Sequence, residues 1–339
     1  MPCAQAVSIP CESSSTSQRQ CARPGVLKRT PRTPMATGKS KRGPRFARLL
    51  LAGNSADPLV VLRSATWNYN SVGLFAGNEA LVVDPGLSPA ELALLHARLV
   101  TAEQPPEPRR INHLILTHAH HDHIRGGCSF EGARTWMPRI AAEKGPEARG
   151  RILAAGEALG KRIAAEPAGY SWPQVTDPFD TEAQFVLGDS LEVRMHFLPG
   201  HSNCTSVVVI PALATLLSAD YLVSPGVPFC RHEARMFEGA LVGLRELVER
   251  YEIERLVPSH GPMHLGRDKI HEAIASDQSV MAAMRQAVRG ALDKGLDKQQ
   301  VMAAALAAAD KDRGQTAGRL AAQDTDNARR ILREEQDIA

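Results

Sequence analysis

The chain of 339 residues has no run of eighteen apolar residues, so no stretch of it reads as a membrane-spanning helix. No apolar segment follows its first residues, so a secretory signal peptide is not expected. It has no G-x-S-x-G element, so the strained turn that presents a serine nucleophile in many hydrolases is missing. Its six cysteines show no regular spacing: Cys3, Cys11 and Cys21 fall near the start, Cys128, Cys204 and Cys230 in the rest. An odd number in the body argues against a disulfide framework and for a reducing compartment. TGKS at 37–40 is not a phosphate loop, because Thr33 stands where that motif needs glycine.

Acidic residues are nearly absent from the first 56 positions, which hold ten Lys or Arg and only Glu12 against them. With a net charge of +3 for the whole chain, the remainder carries about −6, and a mildly acidic body offers no electrostatic footprint for duplex nucleic acid. Residues 1–45 read as a disordered basic tail. Rich in Arg and Ser and poor in acid, it has the composition of a mitochondrial or plastid transit peptide, although its prolines interrupt the amphipathic helix such peptides form. Otherwise the expectation is a cytoplasmic protein, or one whose true start is Met35, with residues 1–34 upstream of it.

What the chain does have is THAHHDH, Thr117 to His123, four histidines and an aspartate within seven residues. Clustered imidazoles repel one another when protonated, and packing has no use for them. A metal ion resolves the conflict by taking neutral imidazole nitrogens and a carboxylate as ligands. The apolar run INHLILT (111–117) reads as a buried strand that ends where the histidines begin, and Gly126-Gly127 breaks the chain after them. The i, i+2 spacing of His118 and His120 excludes a helical H-x-x-x-H pair. In a turning segment those two side by side leave Asp122 and His123 to turn back. Further polar residues follow apolar runs elsewhere: His201 in LEVRMHFLPGHS, Asp220 in TLLSAD and His260 in RLVPSHGP.

In this order, Asp84 in LVVDPG, then THAHHDH, PGHS, SAD and SHGP, the chain from about Asn68 to Pro262 resembles a metallo-β-lactamase superfamily hydrolase. That resemblance implies an αββα four-layer sandwich with a two-metal site on one edge. It implies His118, His120 and His201 at one ion, Asp122, His123 and His260 at the other, and Asp220 as a bridging carboxylate. It makes Asp84 the carboxylate that orients the histidine loop, with Ser202 a hydrogen-bonding neighbour of the ligands. Two zinc ions per chain are the expected cofactor, with iron or manganese as other candidates. One departure is Gly200-His201-Ser202-Asn203-Cys204-Thr205, where many relatives read GHTxGH or GHTxGS; Cys204 reads as a small buried residue.

The chemistry implied is hydrolysis of a small ester, thioester or lactone by a bridging hydroxide, with Asp122 and Asp220 as catalytic carboxylates. Two alternatives stay open. The tail after SHGP loosely resembles the extension of β-lactamase-like endoribonucleases, which would make the substrate RNA or another phosphodiester; a mononuclear iron sulfur dioxygenase also belongs to this superfamily. The partner expected is a small molecule, with no membrane, and a homodimer is compatible. Arg231 and His232, in a loop after Asp220, are candidate substrate contacts.

Three regions are expected: the tail at 1–45, a catalytic domain at 56–262 with a helical insert at 130–180, and a helical extension at 263–339. Strands are expected near 59–63, 72–76, 79–83, 184–187, 190–198, 204–210 and 214–219. A helix follows Ser88, with Glu91 completing a capping box. Residues 132–168 read as helical, and Trp136, Tyr170 and Trp172 of the insert either line an apolar pocket or pack the insert down. Residues 236–251 form an amphipathic helix with Phe237, Leu241, Leu244, Leu247 and Val248 on one face. About three helices follow, with a break at Lys294-Gly295. His96, His113, His196 and His271 fall in periodic segments and read as structural.

Overall fold

Strand β2 (Leu59–Arg63) sends Leu59 and Val61 to one side and Val60 and Leu62 to the other, and all four are buried. Successive strand residues point to opposite faces, so a run apolar at every position belongs to a sheet covered on both sides. The same holds for β10 (Ser206–Ile210), where Val208 and Ile210 face one core and Val207 and Val209 another. The computed structural model describes residues 48–51, 57–64, 68–86, 88–100, 108–162, 165–223, 227–313 and 321–338. The expected basic tail lies outside them.

The first sheet runs in the order β1 (Arg48–Leu51), β2, β3 (Asn70–Ala76), β4 (Glu79–Val83), β5 (Arg110–Ile115), β6 (Arg134–Pro138) and β7 (Asp177–Phe179). It is antiparallel up to β4 and parallel from β4 to β7. The second sheet contains β8 (Glu182–Leu187), β9 (Leu191–Phe197), β10, β11 (Thr215–Leu217), β12 (Arg255–Val257) and β13 (His264–Leu265) in spatial order of the chain. Only β11 and β12 pair in parallel there.

Between the sheets, Leu59, Val61, Leu81 and Ile115 meet Val193, Met195, Val208 and Leu217. On the outer face of the first sheet lies α1 (Pro89–Val100), whose Leu92, Leu95 and Leu99 cover Val60, Leu62 and Val82. Its start is the expected capping box: the Ser88 amide donates to Glu91 and the Glu91 amide to Ser88 Oγ, at 3.1 and 3.2 Å. On the outer face of the second sheet, α5 (Ala234–Arg250) buries Phe237, Leu241, Leu244, Leu247 and Val248. The architecture is the expected αββα sandwich.

Helices α6 (Arg267–Leu292), α7 (Lys298–Arg313) and α8 (Ala321–Gln336) continue this outer layer. Met281, Met284, Val301, Ala305, Ile331 and Leu332 share one core with α5. Arg285 of α6 donates to Glu238 of α5 and to Glu334 and Glu335 of α8, tying three helices at one guanidinium. Gly295, at φ +67°, turns the chain between α6 and α7, as the break at 294–295 foretells.

The stretch read as a helical insert is not helical throughout. It gives β6 and β7 to the first sheet, besides α3 (Arg139–Ala142) and α4 (Pro146–Gly160). Trp136 is accordingly a core residue, stacked against Phe185 and His113 rather than lining a pocket. Tyr170 donates to the Leu153 carbonyl and Trp172 lies under Arg149, so both pack the insert down. No helix among the described residues is long and apolar enough to cross a membrane.

Candidate metal centre

Strands β4, β5, β11 and β12 all deliver a polar residue just past their C-terminal ends: Asp84, the 118–123 segment, Asp220 and His260. The connection between β9 and β10 adds His201 at the same rim. Sheet twist and parallel pairing bring these ends together, and rigid strands hold what their loops present. After Thr117 the chain bends at His118, is extended at His120 (φ −73°, ψ 151°) and then closes into a single helical turn, α2 (His121–Ile124). That switch puts His118 and His120 on one side and turns Asp122 and His123 back toward the other.

The side chains gather in two groups. His118, His120, His201 and Asp220 form one, and Asp122, His123 and His260 the other; within each, the potential ligand atoms lie within 4.8 Å of one another. In the first group, His120 Nδ1 is 2.9 Å from His118 Nε2 and 3.0 Å from His201 Nε2. Asp220 Oδ2 lies 3.1 Å from His201 Nε2 and 3.9 Å from His118 Nε2. Asp220 Oδ1 turns to the second group, 3.2 Å from His123 Nε2 and 3.5 Å from His260 Nε2. Asp122 Oδ2 is 3.3 Å from His260 Nε2 and 3.9 Å from His123 Nε2.

These spacings suit metal ions. Ligands ~2.0–2.1 Å from a tetrahedral zinc stand ~3.3 Å apart, and the distances above bracket that value. His123 Nε2 and Asp220 Oδ1 are buried and have no hydrogen-bond partner in the protein, an arrangement that costs stability unless another group satisfies them. The donor set of imidazoles and carboxylates fits zinc, iron or manganese.

The electrostatics divide in the same way. Burial and then the neighbouring imidazoles push His118 well below its ordinary 6.5 and His120 to about 3. Burial likewise takes His201 to about 4, outweighing the pull of Asp220. These rings are therefore neutral, with lone pairs to offer. In the second group burial would lower His123, but Asp84, Asp220 and Asp122 raise it well above its ordinary value, and Asp220 and Asp122 raise His260 against burial. Burial would raise Asp122 and Asp220, yet the surrounding histidines hold both well below the usual carboxylate range. So this half of the site calls for positive charge, which a proton or a metal ion can supply.

A shell of hydrogen bonds fixes the rings. Asp84 Oδ1 accepts from the Thr117 amide at 2.8 Å and its Oδ2 from Thr117 Oγ1 at 2.6 Å. Asp84 Oδ2 also takes His123 Nδ1 at 2.8 Å, which leaves His123 Nε2 to face the cluster. His201 Nδ1 bonds the Phe229 carbonyl, and the His201 amide donates to the Tyr221 hydroxyl at 3.0 Å. Gly200 allows that approach, since a Cβ there would stand 2.8 Å from both Tyr221 Oη and Ala240 Cβ. Tyr69 sets its ring edge-on to His123 and to His260, with centroids 5.4 and 5.2 Å away.

Three expected residues do not reach the cluster. Ser202 Oγ bonds Thr205 Oγ1 at 2.7 Å and accepts from the Cys204 amide, so it braces its own turn. Arg231 lies over the Phe229 ring and pairs with Asp326 of α8 at 3.2 Å, and His232 stands by Glu233 at 3.6 Å. Cys204 is buried, as its reading predicts. His113 accepts from Trp136 Nε1, while His196 and His271 stand by Glu182 and Glu249. Tyr69, Tyr221 and Phe229 are missing from the sequence reading, because nothing in their spacing marks them.

A family model described as the metallo-beta-lactamase superfamily matches residues 65–260, more than half of the chain. None of the curated proteins compared with the sequence matches it. Among solved structures, a double mutant of the sec-alkyl sulfatase PisA1 superposes with a TM-score of 0.62 at 14% identity, over 85% of this chain and 50% of that one. The stereoselective inverting sec-alkylsulfatase Pisa1 from Pseudomonas sp. gives 0.57 at 15% identity, over 82% and 49%. A metallo-beta-lactamase from Pontibacter korlensis gives 0.48 at 18% identity, over 67% and 98%. This chain spans about half the length of the alkylsulfatases it matches. At these identities the likeness is one of fold.

Proposed function

The chain belongs to the metallo-beta-lactamase superfamily, and we propose that it is a hydrolase with two divalent ions, zinc by preference, acting on a small ester, thioester or lactone. One ion would be held by His118, His120, His201 and Asp220 Oδ2, the other by Asp122, His123, His260 and Asp220 Oδ1. The observation that carries this reading is Asp220, which turns one oxygen to each group, 3.1 Å from His201 Nε2 and 3.2 Å from His123 Nε2. A site for one ion, as in an iron dioxygenase, has no use for the second oxygen or for His260.

When bound, such ions supply a water acidic enough to ionise near neutral pH and a Lewis acid for the bond under attack. The protein's own groups do the rest. Asp84 keeps the proton of His123 on Nδ1, and the Phe229 carbonyl does the same for His201, so both rings present Nε2 to the cluster. Asp122 Oδ2 stands by His260, while Oδ1 lies 3.8 Å from His121 Nδ1. That second oxygen is the group assigned to carry the proton to the departing alcohol or thiol. Two carboxylates buried among imidazoles stay ionised at neutral pH, as a base and a ligand must.

The body's charge of about −6 favours a small substrate over RNA. A second reading is hydrolysis of a sulfate ester. It is supported by the alkylsulfatase superposition, which at 85% of the chain reaches beyond the residues of the family model into the rest of the fold. A panel of a carboxylic ester, a thioester, a lactone, a secondary alkyl sulfate, a phosphodiester and a short RNA, offered to zinc-loaded protein, tests both. Turnover of the acyl compounds supports the first reading, turnover of the alkyl sulfate the second, and turnover of the RNA alone removes both.

A further inference from the structure

His201 is held differently from the other histidines of the cluster. Its ring stacks on Phe229, with centroids 5.2 Å apart and planes 9° from parallel. Its Nδ1 bonds the Phe229 carbonyl, and its own carbonyl accepts from the Arg231 amide at 2.8 Å. All three contacts come from residues 229–231, in a loop without regular structure that leads into α5. Cys230 of this loop shares a core with Val207 and Leu216 of the second sheet, and the loop's backbone carbonyls are held by helix α8, about a hundred residues further along the chain.

Asn327 Nδ2 donates to the Pro228 carbonyl at 2.8 Å and Gln323 Nε2 to the Cys230 carbonyl at 3.4 Å. The carbonyls on either side of Phe229 are thus both taken by α8, while that of Phe229 itself is left for His201. Gln323 Nε2 also lies 3.3 Å from Asn327 Oδ1. Arg330 donates to the Arg231 carbonyl, and Asp326 pairs with the Arg231 guanidinium. Positions 323, 326, 327 and 330 share one face of a helix. Asn327 is fully buried and Gln323 nearly so, and burying an amide costs stability unless its bonds are made. Next to this face, Ala328, Ile331 and Leu332 anchor α8 in the core.

We propose that Asn327 is a positioning residue for His201, and that through it helix α8 is part of the metal centre rather than an appendage to the sandwich. The proposal rests on the dinuclear reading above. Without the Asn327 bond, the 227–231 loop loses its fixed carbonyl geometry, and His201 Nε2 loses its aim at the cluster.

The test uses Asn327→Ala and Asn327→Asp, the second keeping the size of the side chain while replacing the donor with an oxygen that repels the Pro228 carbonyl. Ile331→Val, one turn further along the same helix and without a hydrogen bond to the loop, serves as the stability control. In metal-free protein, the proton on His201 Nδ1 should appear as a protected downfield NMR resonance in wild type and in Ile331→Val. It should weaken or vanish in both Asn327 variants. Zinc titration against a chelator should show one of two ions bound ~10–100-fold more weakly in the Asn327 variants, as for other residues that orient ligands, with the other ion unchanged. Folded Asn327 variants that keep the His201 resonance and wild-type zinc affinity overturn the proposal. So does Ile331→Val weakening the same ion, which would make the effect one of stability alone. A wild type that binds only one ion would remove the dinuclear reading, while the resonance in metal-free protein would still decide the role of Asn327.

Discussion

Asp84 takes three donors at once: the Thr117 amide, the Thr117 hydroxyl and Nδ1 of His123, at 2.8, 2.6 and 2.8 Å. One carboxylate at the end of β4 thereby fixes both the start of the histidine segment and the tautomer of its last ring. Asp84 itself sits at φ +46°, a backbone conformation that costs energy for a residue with a side chain and persists only where its surroundings hold it.

Asp84→Asn keeps the shape but can offer only one acceptor oxygen to three donors. Metal affinity and kcat/KM are expected to fall roughly 10–100-fold, on the scale of other changes to residues that orient ligands. Zinc titration and turnover measured side by side check this; a variant with full affinity would show that His123 needs no orienting partner.

Gly200→Ala would drive a Cβ into Tyr221 Oη and Ala240 Cβ, each 2.8 Å away, and to 3.0 Å from Phe237 Cα. Tyr221 also donates to the Leu198 carbonyl at 2.6 Å, so it has little room to move. The expected cost is ~1–3 kcal/mol of stability, together with weaker binding of the ion assigned to His201. Thermal melting with and without zinc reads both effects.

Asp277 on α6 is buried, and burial raises its pKa from the ordinary 3.8 to about 7, with Arg313 pulling the other way. The folded protein therefore binds this proton more tightly than the unfolded chain, so the residue's contribution to stability declines as pH rises from about 4 to about 7 and is level above. Asp277→Asn mimics the protonated form. Its gain in melting temperature over wild type should grow across that window and then stay constant, and a gain independent of pH would contradict the account.

Much of the fold is legible in the sequence because both sheets are covered on both faces. Runs such as LVVL (59–62) and VVVI (207–210) stay apolar at every position, and the ligands announce themselves by ending such runs. Strands β6 and β7 are not legible. RTWMP and DPF are short, carry charge or proline, and join the sheet only through parallel pairing with distant partners. The same limit hides the support of His201. A carbonyl at Phe229 and an amide at Asn327 carry no periodicity, and their roles arise only when α8 packs against the 227–231 loop. The partners of Arg231 are hidden in the same way: its guanidinium meets Asp326 and the Phe229 ring only once α8 is in place.

Asp220→Asn lowers the charge of the residue that turns an oxygen to each group. One ion should be lost or loosened, and kcat/KM should fall at least ~100-fold, well beyond the effect of Asp84→Asn. The reverse order of effects would mean that Asp220 is not the bridge.

Elemental analysis of purified, zinc-loaded wild-type protein shows whether the two groups around Asp220 hold two ions. The expected ratio approaches two metals per chain, one for each ligand group. A firm ratio of one, unchanged by excess zinc, would mean that the two groups do not hold an ion each.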